Sequence, residues 1–341
     1  MPFLDYLHQA ADRLSLSAAQ AEDALNLVLA GEATIPQLTA LLTALRVKGE
    51  TASELTGFAR AMRQHAAVIP TGGVPRPLVD TCGTGGDGHG TFNISTVAAF
   101  VIAGAGIPVA KHGNRSISSR CGSADILESL GARIALTPEQ MGEALRQCGI
   151  AFLFAPAVHP SMKMVQPARL ELRMRTIFNF LGPLTNPAGA DVQLIGAPSA
   201  ASAELMASAL TRLPVRRALV VHGSDGLDEI TTTGLTIAFE VSQGQVQQRS
   251  IMPMEFNLPL AALSDLVGGD AADNAAIARV VLSGRQGPHR DIVVANAAAA
   301  ILMAGRADSY SSAASLAAHS IDAGLAAAKL DALVEFTRAL P

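Results

Sequence analysis

The sequence predicts an α/β protein: a small all-helical N-terminal domain, then a large α/β domain with a mostly parallel central sheet flanked by helices. Three observations carry this expectation. The first 67 residues read as capped amphipathic helices. A Pro- and Gly-rich stretch follows, from Ile69 to Pro77. Beyond it, short apolar runs alternate with helical patterns. Such βα alternation builds a parallel sheet covered on both faces. The 341 residues suggest about two domains at ~150 residues each. The expected boundaries are 1–69 for the helical domain and 70–341 for the α/β domain.

In the first segment, Ser17 with Gln20, Thr34 with Gln37 and Thr51 with Glu54 each match a capping box. Gly31 and Gly49 stand where helices end. Ile35, Leu38, Leu42 and Leu45 recur at helical spacing and mark one buried face. After the linker, strands are expected at Leu78–Thr81, Pro108–Ala110, Arg133–Leu136, Ala151–Phe154, Gln193–Gly196 and Ala218–His222. Helices are expected at Thr96–Ala105, Ala124–Leu130, Pro138–Gln147, Ala200–Leu213 and Ile292–Ala304. Thr236–Val241 and Val246–Ile251, either side of Gly244, read as a hairpin. From Ser309 the tail is Ala-rich but keeps an apolar helical face through Leu316, Ile321, Leu325, Leu330 and Leu333.

Composition excludes several classes. Hydrophobic residues make up 49% and charged residues 16%, which excludes a disordered chain or a coiled coil. The net charge of -4 and isoelectric point near 6.1 argue against a general nucleic-acid binder, which needs a basic excess. Aromatics are 4% with no Trp, so a base-stacking platform is not expected. Mean hydropathy is +0.32, but the most apolar run, Val97 to Ala110, is interrupted by Gly104, Gly106 and Pro108. It is shorter than the ~20 residues that span a bilayer. Asp5 falls where a signal peptide would carry basic residues, so the expected location is the cytoplasm. Cys82, Cys121 and Cys148 form no CxxC pair and read as buried thiols.

The chemistry concentrates in four segments. The first runs from Val79 to Thr91 and contains Gly83, Gly85 and Gly88 in GxGxxG spacing. A dinucleotide fold also needs an acid ~20 residues on, yet no Asp or Glu lies between Gly88 and Ala124. A Walker A loop fails for want of Lys-Ser or Lys-Thr. The acid-free window carries Lys111, Arg115, Arg120, His89 and His112, a local cationic zone in an acidic chain. Glycines bring backbone N–H groups close to an anion, and Asn93-Ile-Ser95-Thr96 opens a helix whose N-terminus favours phosphate. The second segment, Lys111 to Ser119, follows a strand. Together the two loops suggest a ligand with several phosphates.

The third segment, Asp225-Gly-Leu-Asp228-Glu229, also follows an apolar strand. Adjacent carboxylates beside phosphates suit Mg²⁺, which takes one or two carboxylates plus phosphates and water. An acidic turn facing water is the other reading. No His/Cys cluster of ligand spacing points to zinc. The fourth segment, His159 to Pro187, places Arg169 and Arg173 at i,i+4 on one helix face. Arg suits a planar carboxylate; a solvated basic face is the alternative.

With these residues in order, the chain resembles the anthranilate phosphoribosyltransferase family of tryptophan biosynthesis. The matching runs are GTGGD at 83–87, NIST at 93–96, KHGNR at 111–115, GSAD at 122–125, RTIFNFLGPLTNP at 175–187 and DGLDE at 225–229. The resemblance implies transfer of phosphoribosyl from phosphoribosyl pyrophosphate (PRPP) to the amine of anthranilate, with Mg²⁺. It implies a homodimer formed through the helical domain, and it implies that part of 160–190 joins that domain in space. It places Gly83, Gly86, Asp87, Thr91, Asn93, Ser95, Thr96, Lys111, Ser119 and Ser123 at PRPP. It places Gly83, His112, Asn114 and Arg169 at anthranilate, and Ser95, Asp228 and Glu229 at the metal. No nucleic-acid or membrane partner is implied.

Two positions depart from the family pattern. Arg173 stands where the family has Gly, and Ser161 follows His159-Pro where Ala is common. Three other functions share part of the pattern. A nucleoside phosphorylase has a similar fold, but the intact KHGNR disfavours it. A nucleic-acid-binding relative fits poorly with the charge, and a dinucleotide oxidoreductase fits poorly with the missing acid.

Overall fold

The computed structural model describes residues 2–116 and 120–340. All three expected capping boxes close, and they start α2 (Ala18–Leu29), α3 (Ile35–Lys48) and α4 (Ala52–Gln64), which follow α1 (Pro2–Ala11). The third box does more than cap. Glu54 is fully buried and accepts the backbone N–H of Leu16 at 2.9 Å and of Thr51 at 2.8 Å, and it pairs with Lys48 at 3.1 Å. One carboxylate thus ties three helices together.

The sheet has seven strands in the order β3-β2-β1-β4-β5-β6-β7. The strands are β1 (Val79–Asp80), β2 (Val109–Gly113), β3 (Ile150–Phe154), β4 (Val192–Gly196), β5 (Arg217–Gly223), β6 (Thr236–Ser242) and β7 (Gln245–Ile251). The first five are parallel, and β6 and β7 form the expected antiparallel hairpin. The expected architecture, a helical bundle beside a mostly parallel sheet, is therefore observed. From β1 the chain builds outward to β3, then returns to the other side of β1 for β4 and β5. Strand order reverses at β1/β4, and open α/β sheets bind ligands in the crevice at such a reversal.

Side chains alternate across each strand, so the sheet divides two apolar clusters. On β5, Leu219 and Val221 join the cluster that includes α5 (Ile94–Gly104) and α13 (Pro288–Met303). Ala218 and Val220 join the other cluster. That second cluster holds the N-terminal helices, α11 (Ala200–Leu210), and residues of α9 (Gln166–Leu172) and α10 (Phe178–Leu184). Residues far along the chain thus complete the core of the N-terminal helices.

One expected strand is not formed. Arg133–Leu136 connects α6 (Ser123–Leu130) to α7 (Pro138–Cys148) without a ladder partner. Its alternation is real: Ile134 and Leu136 are buried while Arg133 and Ala135 are exposed. The Leu136 N–H closes on the Ile134 carbonyl at 3.0 Å. Alternation there records burial, not pairing. Several boundaries also move: β2 extends to Gly113, α11 ends at Leu210, α5 starts at Ile94 and α13 starts at Pro288.

Candidate active site

The loops after β1, β2, β4 and β5 converge at the reversal point. The glycine loop leaves β1 and bonds across to β4, Thr84 N–H to the Gly196 carbonyl at 2.9 Å. Gly85 and Gly86 hold φ of +66° and +83°, the left-handed region where a side chain is costly. The Gly85 N–H donates to Asp228 Oδ2 at 2.8 Å. A carboxylate oxygen therefore sits on the glycine nest.

Within DGLDE the acids divide their roles. Asp225 is consumed internally: its Oδ2 accepts both the Thr231 and Thr233 hydroxyls at 2.6 Å. Asp228 and Glu229 point into the crevice. Glu229 accepts the Ser95 N–H at 3.2 Å, at the N-terminus of α5. Burial, together with the neighbouring Asp87 charge, pushes Asp228 up to about 7. Burial and Asp228 push Glu229 up to about 8. Carboxylates crowded this way need a cation to ionise fully, which is what a divalent-ion site supplies.

Lys111 on β2 is buried. Its Nζ donates to the Thr81 carbonyl at 2.6 Å and lies 3.4 Å from Ser95 Oγ. Burial lowers its pKa, while nearby negative groups including Asp80 and Glu229 hold it up. Its neighbour His112 donates its backbone N–H to Asp80 Oδ1 at 3.1 Å. His112 Nδ1 is 2.9 Å from the Gly182 carbonyl, so Nδ1 carries the proton and Nε2 presents a lone pair without a partner. Burial pushes His112 down to about 4 and the adjacent His159 down to about 3, so both are neutral near pH 7. The two rings lie 5.1 Å apart.

Arg169 is half-buried on α9, with its guanidinium 5.7 Å from the Phe178 ring centre. Phe178 and Gly182 are one turn apart on α10, so Arg169 and His112 flank the same short helix. Arg173 leaves that arrangement. It is exposed beyond the end of α9 at φ +47°, so the expected shared Arg169/Arg173 face is not formed. The helix ends between them.

The remaining expected residues fall as follows. Asn93 bridges two loops, donating to the Cys121 carbonyl at 3.2 Å and accepting from Asn274 at 3.0 Å. Thr91 forms an isolated bridge with Val267. Gly83 lies against Asp228 and Gly196. Ser123 opens α6 and donates to the Asn114 carbonyl at 3.2 Å, and Asn114 is exposed. Thr96 is buried with its hydroxyl unpartnered. Ser119 lies outside the described residues. Arg115, counted in the cationic zone, is paired with Asp125 and Glu128.

The comparisons with known proteins agree on one family. Residues 4–66 match a glycosyl transferase family helical bundle domain, and residues 75–327 match a glycosyl transferase family a/b domain. An anthranilate phosphoribosyltransferase of Solibacter usitatus is 57% identical over 98% of this chain and 99% of its own. The chain belongs to the anthranilate phosphoribosyltransferase family. The family resemblance read from the six motifs is thus borne out. The crystal structure of the Thermus thermophilus family member superposes with a TM-score of 0.93 at 43% identity, covering 98% of this chain and 100% of that one. The Saccharomyces cerevisiae family member in complex with PRPP and Mg gives 0.90 at 28% identity, covering 99% and 98%. The same yeast enzyme in complex with 4-fluoroanthranilate gives 0.88 at 27%, with the same coverage.

Four supporting residues were assigned no role from the sequence. Buried Asn186 donates to Asp80 Oδ2 and to the Ala110 carbonyl, both at 2.8 Å. Asp80 and Asn186 thereby stand between β1 and β2 beside Lys111 and His112. Asn296 on α13 accepts the Ile230 N–H at 3.0 Å and donates to its carbonyl at 2.9 Å. It fixes the residue that follows Glu229. Gly196 is the fourth, because a Cβ there would overlap the Asp228 carbonyl.

Proposed function

We propose that this chain transfers the phosphoribosyl group of PRPP to the amine of anthranilate, giving N-(5-phosphoribosyl)anthranilate and pyrophosphate. The observation that carries this reading is the meeting of two unlike half-sites. One is an anion-binding crevice with two half-buried carboxylates, Lys111 and a helix N-terminus. The other holds a neutral imidazole lone pair on His112 and the half-buried Arg169 guanidinium. The first suits a sugar diphosphate with a divalent ion. The second suits an aryl amine bearing a carboxylate. Binding of PRPP, Mg and 4-fluoroanthranilate by the yeast relative supports the assignment.

Ser95, Asp228 and Glu229 would hold Mg²⁺, whose part is to neutralise charge building on pyrophosphate. Gly83, Gly86, Asp87, Thr91, Asn93, Ser95, Thr96, Lys111, Ser119 and Ser123 would receive PRPP. Gly83, His112, Asn114 and Arg169 would receive anthranilate. In the reaction, the C1′–O bond breaks with its electron pair leaving on pyrophosphate, the amine lone pair forms the new C1′–N bond, and the nitrogen, now cationic, gives up one N–H proton through His112 Nε2 to solvent. Lys111 and the loop N–H groups stabilise the leaving anion. Arg169 holds the carboxylate, and His112 Nε2 accepts an amine N–H, which aims the nitrogen. The aryl amine is unprotonated near pH 7, so alignment matters more than a strong base.

The chain acts as a homodimer through its helical domain. Leu14, Val47 and Leu170 are 58%, 67% and 59% exposed on α1's trailing loop, α3 and α9. Such apolar exposure favours association. Cytoplasmic location belongs to the same proposal, in keeping with the buried thiols of Cys82, Cys121 and Cys148. The test follows anthranilate fluorescence with PRPP, with and without Mg²⁺. Loss of signal only when all are present supports the assignment. Persistent fluorescence overturns it.

A further inference from the structure

We propose that Arg175 is a donor-side binding residue, whose guanidinium exchanges two backbone carbonyls of the glycine loop for the diphosphate of PRPP. This rests on the function proposed above and adds a residue to its donor half-site. Arg175 is half-buried on the connection between α9 and α10. Its Nη1 lies 3.3 Å from the Gly86 carbonyl and its Nη2 lies 3.5 Å from the Gly85 carbonyl. Both contacts are long for a charged donor, since charge-assisted bonds fall near 2.7–2.9 Å.

No carboxylate lies within ion-pair distance of Arg175 among the described residues. Other arginines, such as Arg115, Arg217 and Arg290, are paired with carboxylates. A cation held only by two distant neutral oxygens has most of its binding capacity left, and the planar fork suits phosphate oxygens. Its position is set by the loop itself. A Cβ on Gly86 would come within 2.7 Å of Nη1, and the flexible Arg175 side chain would have to turn away from this loop.

The other side of Arg175 is anchored. Thr176 N–H is capped by Asn179 at 2.9 Å, and Ile177, Phe178 and Leu181 are packed in the cluster of the N-terminal helices. With that side held, a move onto a diphosphate needs only the Arg175 side chain to turn away from the two loop carbonyls.

The test titrates magnesium pyrophosphate into the full-length protein by calorimetry and measures both KM values. For Arg175→Gln, pyrophosphate affinity should fall, and the PRPP KM rise, by about ten-fold, the scale of one lost charge-assisted contact. The anthranilate KM should stay within about two-fold, since Arg175 touches no expected acceptor residue. Arg175→Lys keeps the charge but loses the fork, and should still weaken pyrophosphate about three-fold. Arg173→Gly, which removes a neighbouring exposed cation, should change neither value.

Unchanged pyrophosphate affinity in Arg175→Gln overturns the proposal. So does unchanged affinity in Arg175→Lys should the Gln variant fail to fold, or an equal loss in Arg173→Gly. Wild-type protein that binds magnesium pyrophosphate but leaves anthranilate unconsumed would sink the transferase reading while leaving the Arg175 result intact.

Discussion

Gly196 shows how one missing side chain sets the site. It ends β4 against the Asp228 backbone, and a Cβ there would overlap the Asp228 carbonyl. Backbone cannot swing aside as a flexible side chain can. Gly196→Ala should therefore displace Asp228 and Glu229 and lower kcat by at least ten-fold, through misplacement of about an ångström. Near-wild-type turnover would show that the two strand ends separate freely. Titration gives a second residue-scale expectation. His159 is buried beside His112, and burial holds it down to about 3. An unfolded His titrates near 6.5. Between those values the unfolded state binds the extra proton, so stability due to a neutral His159 is complete above pH ~6.5 and is lost as pH falls. The slope is up to ~1.4 kcal/mol per pH unit. Asp80, pushed up to about 6, works in the opposite direction over part of this range. The informative quantity is therefore the difference between proteins. The stability gap between wild type and His159→Phe, measured by urea unfolding, should shift toward the variant from pH 7 to pH 4.5. A gap independent of pH would mean His159 gains a proton partner.

At the scale of elements, legibility followed the distance over which a residue acts. The capping boxes, the glycine loop and DGLDE are contiguous, and their chemistry lies within a few residues. Asn186 reaches Asp80 across 106 positions, and Asn296 reaches Ile230 across 66. An Asn in a terminal motif or an Ala-rich helix carries no mark of such a partner. Arg133–Leu136 failed for a related reason, since burial alternates there but no neighbouring strand exists to pair. Arg173 was legible as a departure from the family pattern, but its meaning came from the backbone. It caps α9 at φ +47°, a left-handed conformation costly for a side chain and one that glycine adopts freely. Arg173→Gly should relieve that strain, partly offset by greater freedom of the unfolded chain. The net expectation is stabilisation by about 0.5–1 kcal/mol, read as a rise in Tm with unchanged KM for anthranilate. A lower Tm would mean that Arg173 makes a stabilising contact outweighing its strain.

At the scale of the whole molecule, the two sequence segments do not correspond to two separate cores. The cluster around the N-terminal helices also contains Val165, Ile177 and Phe178 from the middle of the chain. It includes Ile195, Val220 and Phe239 from one face of the sheet as well. The other face of the same strands supplies Leu194, Leu219 and Ala238 to the cluster that includes α5 and α13. Neither cluster can melt without exposing a face that the other needs in place. The expectation is one calorimetric transition for the full chain, despite a length at which separate domains often unfold in steps. Glu54 provides the probe, since it is buried within the helical layer and ties Leu16, Lys48 and Thr51 together. Removing one partner of a buried ion pair typically costs about 3–5 kcal/mol. In Glu54→Ala that loss should lower the single transition as a whole, so that helical unfolding and loss of the PRPP site coincide. Two resolved transitions, with only the first shifted by the substitution, would instead show that the helical layer is an independent unit resting on the sheet.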